Sequence, residues 1–392
     1  MTRTFADLTT LRVGGPIRTV IEPKSETELV AAVRRVWANG EDWVVLGGGS
    51  NTVASDRAFE GTVIRIATRG IDRLPVDGAA TLSGVPGGRG TVRLRVQAGE
   101  SWDYLVNYTV RHGWAGLEGL SGIPGSCGAA PVQNLNAYDY ELASSLVAID
   151  FLDFATGTVR RLSAGDLQLG YRMSALKRGM SGVVIAIEID LDEAERRGAG
   201  FSRPVSHPQV TELLGINAGD CASVKDIRRT VLALRSAKGM VLDNADPDSV
   251  SVGSFFINPT VTESVARTLP GAAPRWPVAP IDDDRQIISR NDGAHGKTRD
   301  SRTVDNRSVR FSAAWFIEHA GVHRGFSLPG SRAAISSKHA LALVNKGGAT
   351  AAEIVELADF ARARVEAEFS IALEIEPFFV ERVRSRILEL AP

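Results

Sequence analysis

The sequence predicts an α+β protein of two domains, and three observations carry that reading. In the first half, strand-like runs and capped amphipathic helices mix without a regular strand–helix–strand alternation. A polar break at residues 192–200 separates that half from a second one with its own helices. Two glycine-rich loops lie in the first half, and neither opens a helix.

The elements follow in order. Residues 18–22 read as a strand that Pro23 ends. Ser25, with Glu28 three residues on, predicts a capping box for a helix carrying Leu29, Val33, Val36 and Trp37 on one face. Asn39-Gly40 ends that helix, and residues 43–46 return as a strand. Next come Gly47, Gly48, Gly49, Ser50 and Asn51, then another strand-like run at 61–66. A Rossmann unit needs its glycines to open a helix. Here the order is strand, loop, strand, which sets that fold aside. The glycine-rich stretch 77–90 has little core potential and predicts a surface loop. Residues 92–98 alternate as a strand, and 102–112 predict a short helix closed by Gly113.

Residues 120–131 form the second bare loop, too apolar for solvent and too rich in Gly and Pro for a regular element. Its glycines at 122, 125 and 128 strip side chains from the backbone, so amides can approach a ligand closely. Two such loops point to a large phosphate-containing cofactor. Strands follow at 147–154, with a turn at 155–157, and at 182–191. Beyond the break, residues 224–235 predict a helix with Ile227, Val231 and Leu234 inward. Residues 351–369 predict a longer helix, capped by Thr350 and Glu353, with Ile354, Leu357, Ala361 and Val365 as its stripe. Residues 277–310 are polar and without periodicity, which predicts a mobile insertion that burial cannot order.

Composition excludes several classes. With 392 residues, 44% hydrophobic and 23% charged, the chain is an ordinary globular one, long enough for two or three domains with substantial cores. A formal net charge of −1 offers no bulk attraction to nucleic acid or membrane, so neither is an expected partner. Cys127 and Cys221 are the only cysteines and form no motif, so neither a metal site nor a disulfide framework is expected. No apolar run is long enough to span a bilayer and the N-terminus lacks a signal-peptide core, so a cytoplasmic protein is expected.

Taken in order, the motifs at 46–51, 121–128 with 131–134, Gly170-Tyr171-Arg172, Gly253-Ser254-Phe255-Phe256 with Asn258-Pro259, and Lys338-His339-Ala340-Leu341 leading to Asn345 resemble the UDP-N-acetylenolpyruvoylglucosamine reductase family. The resemblance runs from about residue 9 to 377. It implies a two-subdomain FAD-binding module of the vanillyl-alcohol-oxidase (PCMH) type over 10–192, with subdomains of about 10–75 and 76–192. A C-terminal α+β substrate-binding domain would occupy 200–392. It also implies non-covalent FAD, NADPH as hydride source, a nucleotide-sugar substrate and a monomer. By resemblance, Gly47, Gly48, Gly49, Ser50, Asn51, Ser121, Gly122, Gly125, Ser126, Gly128 and Asn134 hold the cofactor. Tyr171, Lys238, Asn258 and His207 then face the substrate. Arg172 stabilises the developing enolate, Ser254 is the general acid, and a C-terminal glutamate supports both.

Spacing alone does not choose between Glu374 and Glu376, which would share a face of a strand; the family pattern selects Glu376. Each residue also has a plainer reading in isolation. Arg172 would be a surface ion pair, Ser254 a turn cap, Tyr171 a core aromatic and Lys238 a solvated helix-end charge. The chain departs from the family at Asn136 and Asp139, where glycine is usual, and at His207, where a tyrosine closes over the nucleotide. Asn and Asp tolerate left-handed backbone, so the turn at 136–139 is expected to survive. Two other readings stay open from sequence: the same flavin chemistry on a different nucleotide sugar, and a flavin-binding module without turnover.

Overall fold

The computed structural model describes residues 2–76, 90–193, 200–278 and 308–380. Residues 77–89 of the expected surface loop, 194–199 of the polar break and 279–307 of the 277–310 insertion lie outside those residues.

The first unit comprises β1 (Ile17–Ile21), α1 (Glu26–Ala38), β2 (Trp43–Leu46), β3 (Thr52–Ala54) and β4 (Phe59–Arg65). Strands β1, β4 and β2 form a parallel sheet in that order, with α1 as the crossover. Ser25 caps α1 by accepting from the Glu28 amide. The reciprocal half of the expected box shifts by one residue, because Glu28 Oε2 accepts from the Lys24 amide at 2.8 Å. Alternation along β2 puts Val44 and Leu46 against Phe5, Leu8 and Ile17, while Trp43 and Val45 face the core that α1 enters with Leu29 and Val33.

The second unit holds β5 (Ile71–Leu74), β6 (Gly90–Gln97), α2 (Trp102–Arg111), β7 (Trp114–Ala115), the β8 (Asn136–Ala137) and β9 (Tyr140–Glu141) hairpin, β10 (Leu146–Asp153), β11 (Val159–Ser163) and β12 (Gly182–Glu193). Its antiparallel sheet runs β11-β10-β12-β6-β5, so β12 is central. Val183, Ile185, Ile187, Ile189 and Leu191 point into the core. The opposite face carries charges that are paired across strands: Glu188 with Arg161 and Asp190 with Arg93, each with both partner distances at 3.1 Å or less. Period-two alternation thus turns one strand into half core and half ion-pair ladder.

The remainder contains α3 (Pro208–Leu214), α4 (Val224–Ala237), β13 (Ser251–Ser254), β14 (Thr260–Thr262), α5 (Glu263–Ala266), β15 (Arg275–Val278), β16 (Ser308–Phe311), α6 (Ala313–His319), β17 (Ala333–Ile335), β18 (Ala342–Asn345), α7 (Ala351–Phe369) and β19 (Phe378–Val380). The Thr350–Glu353 capping box on α7 is present in both directions, and Ile354, Leu357, Ala361 and Val365 are buried as the pattern predicts.

Two expectations need correction. The ends of the 277–310 stretch are ordered: β15 and β16 pair antiparallel, with Val309 buried. Four-residue strands fall below the window in which alternation is visible, and Pro277 is tolerated because β15 is an edge strand. The segment after the first glycine loop is itself a strand, since β3 pairs in parallel with β19.

Candidate functional site

Glycine lets the two bare loops touch. A Cβ on Gly48 would sit 2.7 Å from Gly125 Cα, and one on Gly47 would collide with Ser126 Oγ. Gly49 adopts φ +64° with the Leu8 carbonyl against it. Ser50 Oγ ties the loops by donating to the Pro124 carbonyl at 2.8 Å. The second loop is anchored at both ends. The Gly122 amide donates to Asp103, which Arg228 grips through two bonds, and the Cys127 and Gly128 amides donate to Glu100 and Ala98.

Between those anchors, the amides of residues 47–51 and of Gly125 and Ser126 make no hydrogen bond to any described residue. Adjacent backbone N–H groups without partners form an anion nest. The arrangement therefore fits the pyrophosphate of a dinucleotide. Two further polar side chains expected on the cofactor also bond within the fold. Ser121 Oγ donates to the Glu118 carbonyl, and Asn134, only 1% exposed, bonds Glu141, Gly170 and the Ala143 amide.

A second cluster is built from three segments. A turn closed by bonds between Gly170 and Met173 presents Tyr171 and Arg172, the latter at φ +53°. Arg172 Nε lies 3.0 Å from Glu376 Oε1 in an ion pair whose N–H is not aligned for a hydrogen bond. Its Nη1 donates to the Asn136 carbonyl, and Gln133 Nε2 reaches the same Glu376 oxygen at 3.3 Å. Burial pushes the Glu376 carboxyl up from its ordinary range, opposed by the charges of Arg172 and Lys177. The Glu376 amide donates to the Phe255 carbonyl, which places Ser254 one residue from this contact. Ser254 Oγ makes no hydrogen bond to a described residue, and nothing lies within 4 Å of where a Cβ on Gly253 would stand. Of the two candidate glutamates, only Glu376 meets Arg172; Glu374 is exposed, and its carbonyl takes the Ile257 amide.

Lys238 and His207 belong to a third group around Tyr138. The His207 ring packs edge-on to Tyr138 at 5.0 Å, Lys238 Nζ lies 5.6 Å from that ring, and Nζ donates to Gln209. Burial lowers the pKa of both Lys238 and His207, with the neighbouring Arg235 adding to the effect on Lys238. Asn258 stands apart, its Oδ1 accepting from the Ala313 amide at the start of α6. At the departures from the family pattern, Tyr138 and Asp139 take positive φ, whereas Asn136 is extended within β8, so only Asp139 needs the left-handed tolerance expected of both.

The sequence reading gave no role to Gln133, Lys177, Arg235, Arg310 or His339, although Gln133 and His339 lie within motifs it singled out. Arg235 did carry a signal, since it continues the apolar stripe of α4 four residues after Val231. It is 7% exposed, with Nη2 on the Met240 carbonyl and its Nε without a partner. His339 is held down to about 4 by burial and by the charges of Lys238, Arg235 and Arg324. Among the described residues no group of His, Cys, Asp or Glu could hold a metal ion, and no helix is long and apolar enough to cross a membrane.

Comparisons with known proteins bear on this geometry. Residues 17–163 match the FAD binding domain family, and residues 246–380 match the UDP-N-acetylenolpyruvoylglucosamine reductase C-terminal domain family. A UDP-N-acetylenolpyruvoylglucosamine reductase of Leifsonia xyli subsp. xyli is 51% identical over 95% of this chain and 97% of its own length. Another, of Saccharopolyspora erythraea, is 42% identical over 96% of this chain and 94% of its own. The crystal structure of the Thermus caldophilus enzyme of that name shares the fold, with TM-score 0.58 at 23% identity over 97% of this chain and 98% of that one. An α+β chain with a bare-loop anion nest, an FAD-binding domain and full-length relatives of one name belongs to the UDP-N-acetylenolpyruvoylglucosamine reductase family.

Proposed function

We propose that the protein reduces the enolpyruvyl ether of UDP-N-acetylglucosamine enolpyruvate to UDP-N-acetylmuramate, a peptidoglycan precursor, as an FAD-containing, NADPH-dependent oxidoreductase. The observation that carries this reading is the Arg172–Glu376 pair, which brings a cation and a buried carboxyl together beside Ser254. The bare loops at 47–51 and 121–128 hold FAD. When bound, FAD supplies hydride, drawn from NADPH, to the vinyl methylene of the substrate.

The residues of this chain manage the charge and the proton. Negative charge develops on the carbon next to the carboxylate, and the Arg172 guanidinium stabilises it in a site from which water is largely excluded. Glu376 orients that guanidinium, and Gln133 fixes Glu376. Ser254 Oγ then gives its proton to the carbanionic carbon and is reprotonated from solvent. Lys238, His207 and Tyr171 face the nucleotide diphosphate and sugar, and Asn258 meets polar groups of the substrate from its place beside the start of α6. The FAD-binding domain spans 10–192 and the substrate-binding domain 200–392. The enzyme works as a cytoplasmic monomer, without a nucleic-acid or membrane partner.

Ser254→Ala tests this. Reduction by NADPH should stay near the unmodified rate, while anaerobic reoxidation by the enolpyruvyl substrate should slow about 10²–10⁴-fold, the usual contribution of a positioned general acid. Stopped-flow traces with both half-reactions slowed alike would instead assign Ser254 to binding or folding.

A further inference from the structure

Tyr171 and Arg172 form the tip of the turn closed by the Gly170 amide on the Met173 carbonyl (3.0 Å) and the Met173 amide on the Gly170 carbonyl (3.2 Å). At φ +53°, Arg172 occupies a conformation that a long L side chain keeps only where surrounding contacts over-determine it. On the Arg172 side those contacts are Glu376, the Asn136 carbonyl and Lys177, whose Nζ donates to the Arg172 carbonyl at 3.0 Å. The Tyr171 side is held by a residue far away in the chain. The guanidinium carbon of Arg310 lies 3.4 Å from the Tyr171 ring centroid, a stacking distance, whereas that of Arg172 lies 5.7 Å from the same ring.

Arg310 is itself fixed. Its Nε donates to Thr260 Oγ1 at 3.2 Å, and its strand β16 is the middle one of the β14-β16-β15 sheet. Burial and the nearby Arg172 lower its pKa, yet a guanidinium remains charged at any working pH. A cation partly withdrawn from water and centred over a ring face is held more firmly than an exposed one.

From this geometry we infer that Arg310 is a positioning residue: stacked on Tyr171, it keeps the 170–173 turn closed and so holds Arg172 where the reaction needs a cation. The consequence for turnover rests on the proposed function; the mechanical effect on the turn does not. Lysine at 310 would keep the charge and lose the planar face, and methionine would keep the length and lose both.

The test uses the FAD-loaded protein with Arg310→Met, Arg310→Lys, Tyr171→Leu and the Arg310→Met/Tyr171→Leu pair. Deuterium exchange at the Gly170 and Met173 amides should quicken about tenfold in Arg310→Met, within the range of a partly desolvated cation–ring contact, and by less in Arg310→Lys. Amides of the β10–β12 ladder should not change, which separates the effect from general loosening. Anaerobic reoxidation by the enolpyruvyl substrate should slow by a similar factor with reduction by NADPH preserved. Adding Arg310→Met to Tyr171→Leu should cost nothing more.

Unchanged exchange at Gly170 and Met173 would overturn the inference. So would losses that multiply in the double variant, or a raised substrate KM at constant kcat, since either would make Arg310 act independently of Tyr171. Should the unmodified protein fail to be reoxidised by the enolpyruvyl substrate, the proposed function falls, and the exchange result still decides the clamp.

Discussion

At the residue scale, the site depends on charges placed where burial makes them consequential. Arg172 is 17% exposed in its side chain and Glu376 9%, so their attraction is screened far less than that of a surface pair. His339 shows the opposite case: a half-buried histidine among cations stays neutral, with its titration moved from 6.5 to about 4. The sign of the consequence follows. Between pH 6.5 and 4 the unfolded chain binds a proton at this position that the folded chain does not, so stability falls as pH falls through that window. The slope is at most about 1.4 kcal/mol per pH unit. Replacing His339 by Gln should flatten that part of the profile, measured by urea unfolding at a series of pH values. A variant whose slope matches the unmodified protein would show that His339 keeps no proton out of the folded state.

At the element scale, local signals were legible and distant pairings were not. The caps of α1 and α7 could be read because a cap is decided within four residues. The β3–β19 pair could not, because neither three-residue strand has a period of its own and each exists only through the other. Glu376 could be separated from Glu374 only once the strand that follows was docked beside the first glycine loop, with the Phe378 amide on the Asn51 carbonyl. Arg310 stayed invisible for the same reason, and the contact of Gln133 with Glu376 could not be read from the 131–134 motif that holds it. A further cap on α7 comes from outside the helix: Asp56 accepts from the amides of Ala351 and Ala352 at 2.8 and 3.1 Å. Asp56→Ala should lower stability by about 1 kcal/mol, the usual worth of an N-terminal cap, with the bound FAD content unchanged. A denaturation midpoint that does not move would mean water replaces the carboxylate without cost.

At the scale of the whole molecule, the N-terminal segment is built into the C-terminal core. Leu11, Val13 and Val53 pack with Phe255, Phe316 and Leu357, and Asn345 Nδ2 donates to the carbonyls of Leu11 and Arg12. Thr10 Oγ1 adds a bond to the carbonyl of Ser251 at 2.6 Å, at the first residue of the strand that ends in Ser254. The glycine loops, the Tyr171–Arg172 turn, the strand that ends in Ser254 and the segment carrying Glu376 are thus held against one another by contacts that cross the chain. That arrangement is what a reaction shared between a dinucleotide and a second ligand requires.

The proposed reduction can be followed by reducing the FAD-loaded protein with NADPH in the absence of oxygen and adding UDP-N-acetylglucosamine enolpyruvate in substoichiometric steps. Oxidised-flavin absorbance should return in proportion to the substrate added, with UDP-N-acetylmuramate formed in equal amount. Flavin that stays reduced until oxygen is admitted, with the enolpyruvyl ether recovered intact, would contradict it.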